Sequence, residues 1–220
     1  MALTVLHVAP HPDDEALGAP ATLLGLRRAG HRVVNLTCSL GRPEQHTRRR
    51  AEVEEACRRL GFELVVHDRP GDEAALGGTV RAFGADLVIG PSAYDGHPSH
   101  ESVGRALRDG LASDGAPPLW TWGLWASLRA PTLYVPYDEA VLEAALHGLR
   151  AHAGELARND YEELLRARGV VGRVQGAEQV FGFGTGARPG PYAEVLEEAL
   201  WVDGAWWPGV AREPDLARPV

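Results

Sequence analysis

Lysine is absent from all 220 residues, and the 22 basic side chains are all arginines. That excludes the lysine of a phosphate-binding P-loop and any chemistry that runs through a lysine Schiff base. Cysteine is almost absent as well. Cys38 and Cys57 are the only two, too few for a cysteine-type metal cluster, and both are expected as small buried apolar residues in a reducing compartment. No apolar run reaches the ~20 residues of a membrane helix. No basic stretch precedes the first apolar segment, so a secretory signal is not expected and the cytoplasm is the default location. Positive charge is outweighed: 30 acidic side chains leave a formal net charge of −8, which offers no electrostatic footprint for nucleic acid.

What is present suits one α/β domain over residues 1–220, with 45% hydrophobic residues to build its core. Leu3–Val8 reads as a buried strand and Ala16–Ala29 as a helix closed by Gly30. Arg32–Thr37 reads as a second strand, 48–60 as an amphipathic helix stopped by Gly61, and 62–67 as a third strand. Ala74–Phe83 is expected to be helical, Asp86–Ile89 a fourth strand and Glu101–Leu111 a helix. This alternation predicts a Rossmann-like, mostly parallel sheet with helices on both faces. Farther on, 117–137 predicts two strands, 138–152 and 159–168 two helices, 177–183 a short strand or helical turn, and 194–200 a last short helix. The tail is rich in Gly, Pro and Trp and is a candidate contact for a homo-oligomer.

Chemistry concentrates where the first strand meets the first helix. His11-Pro12-Asp13-Asp14-Glu15 puts one imidazole and three carboxylates within five residues. Acids suit a helix start, and open α/β sheets bind ligands at the carboxyl ends of their strands. His11 and Asp14, three apart on a proline-stiffened turn, can point at one ion with a nitrogen and an oxygen donor. Asp13 projects elsewhere and is placed to meet water. Glu15 reads most simply as a first-turn acid. A second pair, His97-Pro98-Ser99-His100, leaves the fourth strand the same way. In a parallel sheet both turns lie at one edge, so together they make a candidate centre of three protein ligands and one open position, the arrangement of a hydrolytic zinc site. An amide hydrolase also needs a base and an acid, which Asp13 and one of the downstream histidines supply. The acidic first turn argues against a dinucleotide site, because it repels a pyrophosphate.

Ala9-Pro10-His11-Pro12-Asp13-Asp14-Glu15 closely resembles the first motif of the PIG-L/LmbE-like zinc N-deacetylases, and His97-Pro98-Ser99-His100 resembles their second. Arg49-Arg50-Ala51-Glu52 with Leu60-Gly61 is similar to the family's arginine-rich helix, and Asp95-Gly96 also fits. The resemblance runs over roughly residues 3–183, more weakly toward the end. It implies Zn2+, or another divalent ion, on His11, Asp14 and His100, with one ion per subunit. It implies Asp13 as general base and His97 as electrostatic stabiliser or acid. The substrate it implies is a small N-acetylated glycoside, whose acetamide is hydrolysed to acetate and a free amine. Only the resemblance chooses His100 over His97 as ligand. Arg49, Arg42, Tyr94 and Asp95 are candidates for substrate contact. Three departures stand out: Ser99 where the family has Asp, Ala19-Pro20-Ala21 where it has more glycine, and Ala153-Gly154-Glu155 after His152. Ser99 motivates the alternative, a catalytically weak relative that binds a sugar or metabolite around a structural ion. The other histidines, His152 included, are expected in structural or solvent roles, and the tryptophans in the core or at a subunit contact, with sugar stacking as the second reading.

Overall fold

A computed structural model describes residues 1–67, 72–186 and 188–220. Five parallel strands form the framework: β1 (Thr4–Ala9), β2 (Arg32–Thr37), β3 (Glu63–Val66), β4 (Leu87–Pro91) and β5 (Leu119–Trp122). They lie in the order β3-β2-β1-β4-β5. β6 (Leu133–Tyr137), β7 (Tyr192–Val202) and β8 (Ala205–Pro208) extend the sheet, and β7 runs antiparallel to β5, β6 and β8. β1 pairs β2 on one side and β4 on the other, with His7 opposite Ile89. The strand order therefore reverses between β1 and β4, and a crevice opens there at their carboxyl ends.

Alternation along each strand divides the core. Val5, Val33, Leu87 and Ile89 face one layer, built with α2 (Pro20–Arg28), α3 (His46–Leu60) and α6 (Glu139–Leu149). Leu6, Val8, Val34, Leu36 and Val88 face the other, built with α4 (Glu73–Phe83) and α5 (Pro98–Gly110). Trp120 and Trp122 are wholly buried. Both cysteines are buried and free, as expected. No helix among the described residues is long and apolar enough to cross a membrane.

Four elements differ from the sequence expectation. The first helix is two: α1 (Asp14–Leu17) stops at Gly18, and α2 begins at Pro20, whose ring cannot continue the preceding turn. Gly18 allows close approach, since a Cβ there would sit 2.6 Å from Trp122 Cε2. α5 begins at Pro98 rather than Glu101, so His97 precedes its first turn and His100 is on it. Beyond the short α7 (Ala153–Leu156), α8 (Tyr161–Val171) passes Gly169 and continues through a π turn, Gly172–Gly176, into α9 (Ala177–Phe181). Residues 194–200 are the middle of β7, not a helix, because pairing with β5 and β6 on both sides outweighs their helix-forming composition. Glu194 on that strand also completes α2. It accepts the N–H groups of Ala21 and Thr22 and the Thr22 hydroxyl at 2.7–2.8 Å, capping a helix whose own first residues offer no side-chain cap.

One polar network crosses the sheet beneath the crevice. Trp122 donates its indole N–H to His7 Nε2 at 3.2 Å, so His7 carries its proton on Nδ1 and donates to Asn35 Oδ1 at 2.7 Å. Burial lowers the pKa of His7, outweighing the Asn35 bond and the nearby carboxylates of Asp14 and Glu15. A depressed folded-state pKa means that below the unfolded value of ~6.5 the unfolded chain binds the extra proton, so stability falls as pH falls through that range. Urea denaturation of the wild type and of His7→Gln between about pH 7.5 and about pH 5 is expected to show a smaller acid loss in the variant.

Candidate active site

β1 ends at Ala9, and the chain turns through Pro10 and Pro12 into α1. Asp13 stands at the head of α1 with φ 112°, a left-handed conformation unusual for a residue with a Cβ. Its carboxylate makes no helix cap, so this backbone cost of ~1–3 kcal/mol serves something other than α1. Two bonds fix the conformation: the Asp13 carbonyl accepts from Ala16 N–H at 2.9 Å, and the Asp13 N–H donates to Glu15 Oε2 at 3.1 Å. Glu15 is not the surface acid of a first turn. It is fully buried, and its other oxygen lies 2.5 Å from His152 Nε2, also fully buried.

Asp14 sits between two imidazoles. His11 Nδ1 is 3.5 Å from Asp14 Oδ2, and His100 Nε2 is 3.5 Å from Asp14 Oδ1. One donor atom from each of the three residues lies within 4.8 Å of the others. Two ligands on a tetrahedral ion, each at ~2.1 Å, are about 3.4 Å apart, so this donor set fits a divalent ion such as zinc. His100 Nδ1 is 2.8 Å from Asp95 Oδ2, which turns its Nε2 toward Asp14 and strengthens it as a ligand. Asp95 Oδ1 accepts the N–H groups of Leu124 and Trp125, at 2.5 and 3.2 Å. Asp95 is thus fully buried behind His100, where it holds that imidazole and a loop and does not line the pocket described below. Gly96, with φ 89°, makes the turn that lets Asp95 face back while His97 faces forward.

The rings of His11, His97 and His100 form a triangle with centroid separations of 5.2, 5.3 and 4.6 Å. His97 Nδ1 is buried without a hydrogen-bond partner, and Ser99, exposed on the first turn of α5, does not supply one. Burial, then the neighbouring His100 and His11, lower the His97 pKa against the pull of Asp14 and Asp95. For Asp14, burial opposes the charged form, but bonds and charge from His11 and His100 win and hold its pKa down to about 2. For Asp13, burial together with Asp14 and Glu15 pushes the pKa well above the usual carboxylate range, against Arg49. Adjacent carboxyls with opposite shifts match a ligand beside a proton acceptor.

These groups open into a pocket of about 470 Å3. His11, Asp13, Asp14, Arg42, Arg49, His97 and His100 line it; Tyr94 does not, and is exposed with the Arg129 guanidinium 3.8 Å above its ring. Arg49 donates to the Pro12 carbonyl at 3.0 Å and so steadies the motif turn, and its Nε is buried without a partner. Arg42 is exposed at the rim. Two further wall residues carry no motif in the sequence: Trp125, 48% exposed and edge-on to Tyr161, and the acid Glu155, held by Arg158 at 2.6 Å and by Arg48 and Arg49 at 3.8 Å. Gly154, one of the departures, is packed so closely that a Cβ there would overlap Arg48 Nη1.

Residues 6–111 match the family model described as PIG-L, GlcNAc-PI de-N-acetylase. No curated protein sequence matches the chain. Among solved structures, a conserved protein from Thermus thermophilus is 25% identical, with TM-score 0.66 over 88% of this chain and 93% of that one. The N,N'-diacetylchitobiose deacetylase from Pyrococcus horikoshii is 19% identical, with TM-score 0.67 over 90% and 84%. GalB, the 4-carboxy-2-hydroxymuconate hydratase from Pseudomonas putida, is 18% identical, with TM-score 0.67 over 90% and 96%. The last two share the fold while being named for different reactions, so the fold alone does not select the chemistry. The matched segment contains both metal-type turns, His11–Asp14 and His97–His100, and it is over this segment, just under half of the chain, that the sequence is similar to the PIG-L family.

Proposed function

We propose that this chain is a zinc-dependent N-deacetylase that hydrolyses the acetamide of a small N-acetylated amino sugar conjugate, releasing acetate and a free amine. The observation that carries the reading is the buried Asp13 carboxylate, held in a strained conformation on the wall of the pocket that His11, Asp14 and His100 also line. Those three residues would hold one Zn2+, or another divalent ion. Such an ion supplies Lewis acidity, polarising a carbonyl oxygen and making water more acidic. Asp13, with its raised pKa, takes the proton from the attacking water and is well matched to return it to the departing amine. His97 faces the pocket from the other side and stabilises the developing oxyanion or protonates the amine. Arg49 and Arg42 meet polar or anionic groups of the conjugate, and Trp125 offers a ring face to the sugar. The whole chain works as one cytoplasmic domain.

Incubating the zinc-loaded protein with N-acetylglucosamine conjugates and assaying primary amine tests the reading. Turnover supports it, and no turnover with any conjugate from acid to neutral pH contradicts it. The second reading, a weak catalyst, is favoured by one observation: the unpartnered His97 Nδ1 beside a serine. Ser99→Asp separates the two. A carboxylate near His97 favours its protonated form, so the alkaline limb of kcat is expected to move up by about one pH unit. A large gain in kcat at all pH values would mark a decayed enzyme.

A further inference from the structure

Behind the Gly123–Leu128 segment, away from the metal ligands, lies a second cavity of about 330 Å3. Leu128, Leu164, Val195 and the inner side of Trp125 give it apolar walls, and Gln179 lies along it. One cation enters it. Arg168, from α8, turns its guanidinium inward, and the head donates to the backbone carbonyls of Leu17 and Gly123. Both partners are neutral. Glu194 also lines the cavity, but its two oxygens are committed to Ala21 and Thr22. Among the described residues no carboxylate forms an ion pair with Arg168, though Glu194 on the same wall attracts its charge; burial outweighs that attraction and lowers the Arg168 pKa, so a guanidinium with five N–H donors stands at the cavity with its counter-charge incomplete.

We propose that this cavity is a second ligand site, for a small carboxylate with an apolar body, whose carboxylate pairs with Arg168. The chemistry follows from the wall. A planar fork of N–H donors matches a carboxylate better than any neutral group, while Leu128, Leu164 and Val195 offer dispersion and burial to the rest of the ligand and Ser127, Gln175 and Gln179 offer further polar contacts. At about 30 Å3 per water-sized unit, the volume holds roughly ten non-hydrogen atoms, which makes acetate far too small to fill it. The site shares Leu124 and Trp125 with the metal pocket but none of the metal-type ligands, and it stands whether or not the chain is a deacetylase.

The probe is 3-phenylpropanoate, with 3-phenylpropanamide as its uncharged twin, titrated by calorimetry into the full chain as purified and again after chelator treatment. The acid is expected to bind one per chain with Kd below ~1 mM, and the amide at least about tenfold more weakly. Chelation should leave both unchanged. Arg168→Gln removes the charge, but it also touches Leu17 and Gly123, so a second variant is needed. Gln179→Trp fills the cavity from its half-buried wall and should weaken the acid about tenfold or more with an unchanged melting temperature. The proposal is overturned if the acid gives no heat, if acid and amide bind alike, if binding vanishes on chelation and so belongs to the metal pocket, or if Gln179→Trp leaves it untouched.

Discussion

Asp13→Asn is expected to lower kcat on an N-acetylated sugar conjugate by about three orders of magnitude, with bound metal unchanged. Asparagine keeps the size of the side chain and its tolerance of positive φ, so the backbone at φ 112° survives. What it removes is the ability to accept a proton, which the burial of Asp13 beside Asp14 and Glu15 has tuned. Metal content by elemental analysis and kcat by amine assay are measured on the same sample. A variant with more than about a tenth of wild-type kcat would remove Asp13 from the proton path. Loss of the metal would make Asp13 a ligand.

Glu15→Ala carries the second large effect, on stability and rate together. It leaves His152 Nε2 buried with no partner and frees the N–H that holds Asp13 in its strained conformation. Removing one member of a fully buried pair costs about 3 kcal/mol, roughly 10 °C in melting temperature for a chain of this size. As Asp13 relaxes, kcat is expected to fall about a hundredfold even where the protein is folded. The double variant Glu15→Ala/His152→Ala should be no less stable than Glu15→Ala, because the two side chains act as one unit. Additive losses would show that they do not. Thermal denaturation and single-temperature kinetics on the three variants decide the matter.

The metal-type turns were legible because each is a local object. His11 and Asp14 are three residues apart on one turn, as are His97 and His100, and the alternation of strands and helices requires both turns at one sheet edge. Their adjacency is closer than that argument demands, since β1 and β4 are direct neighbours at the point of strand reversal. What local pattern missed depends on distant partners. Glu15 looks like a first-turn acid until His152, 137 residues later, is placed against it. Asp95 precedes the second motif and looks like pocket lining, yet its partners are His100 and the backbone at 124–125. Residues 194–200 hold helix formers, Glu, Leu and Ala, and become a strand only because two neighbouring strands need a partner between them. Glu194 itself caps a helix more than 170 residues earlier, which no window around either element could reveal.

Zinc-edge X-ray absorption on the purified, metal-loaded chain tests the arrangement of His11, Asp14 and His100 most directly. The account predicts one ion per chain with a shell of nitrogen and oxygen donors only at ~2.0–2.1 Å, two of them imidazoles, and loss of that ion in His100→Ala. Sulfur at ~2.3 Å from Cys38 or Cys57, or full metal occupancy in His100→Ala, would contradict it.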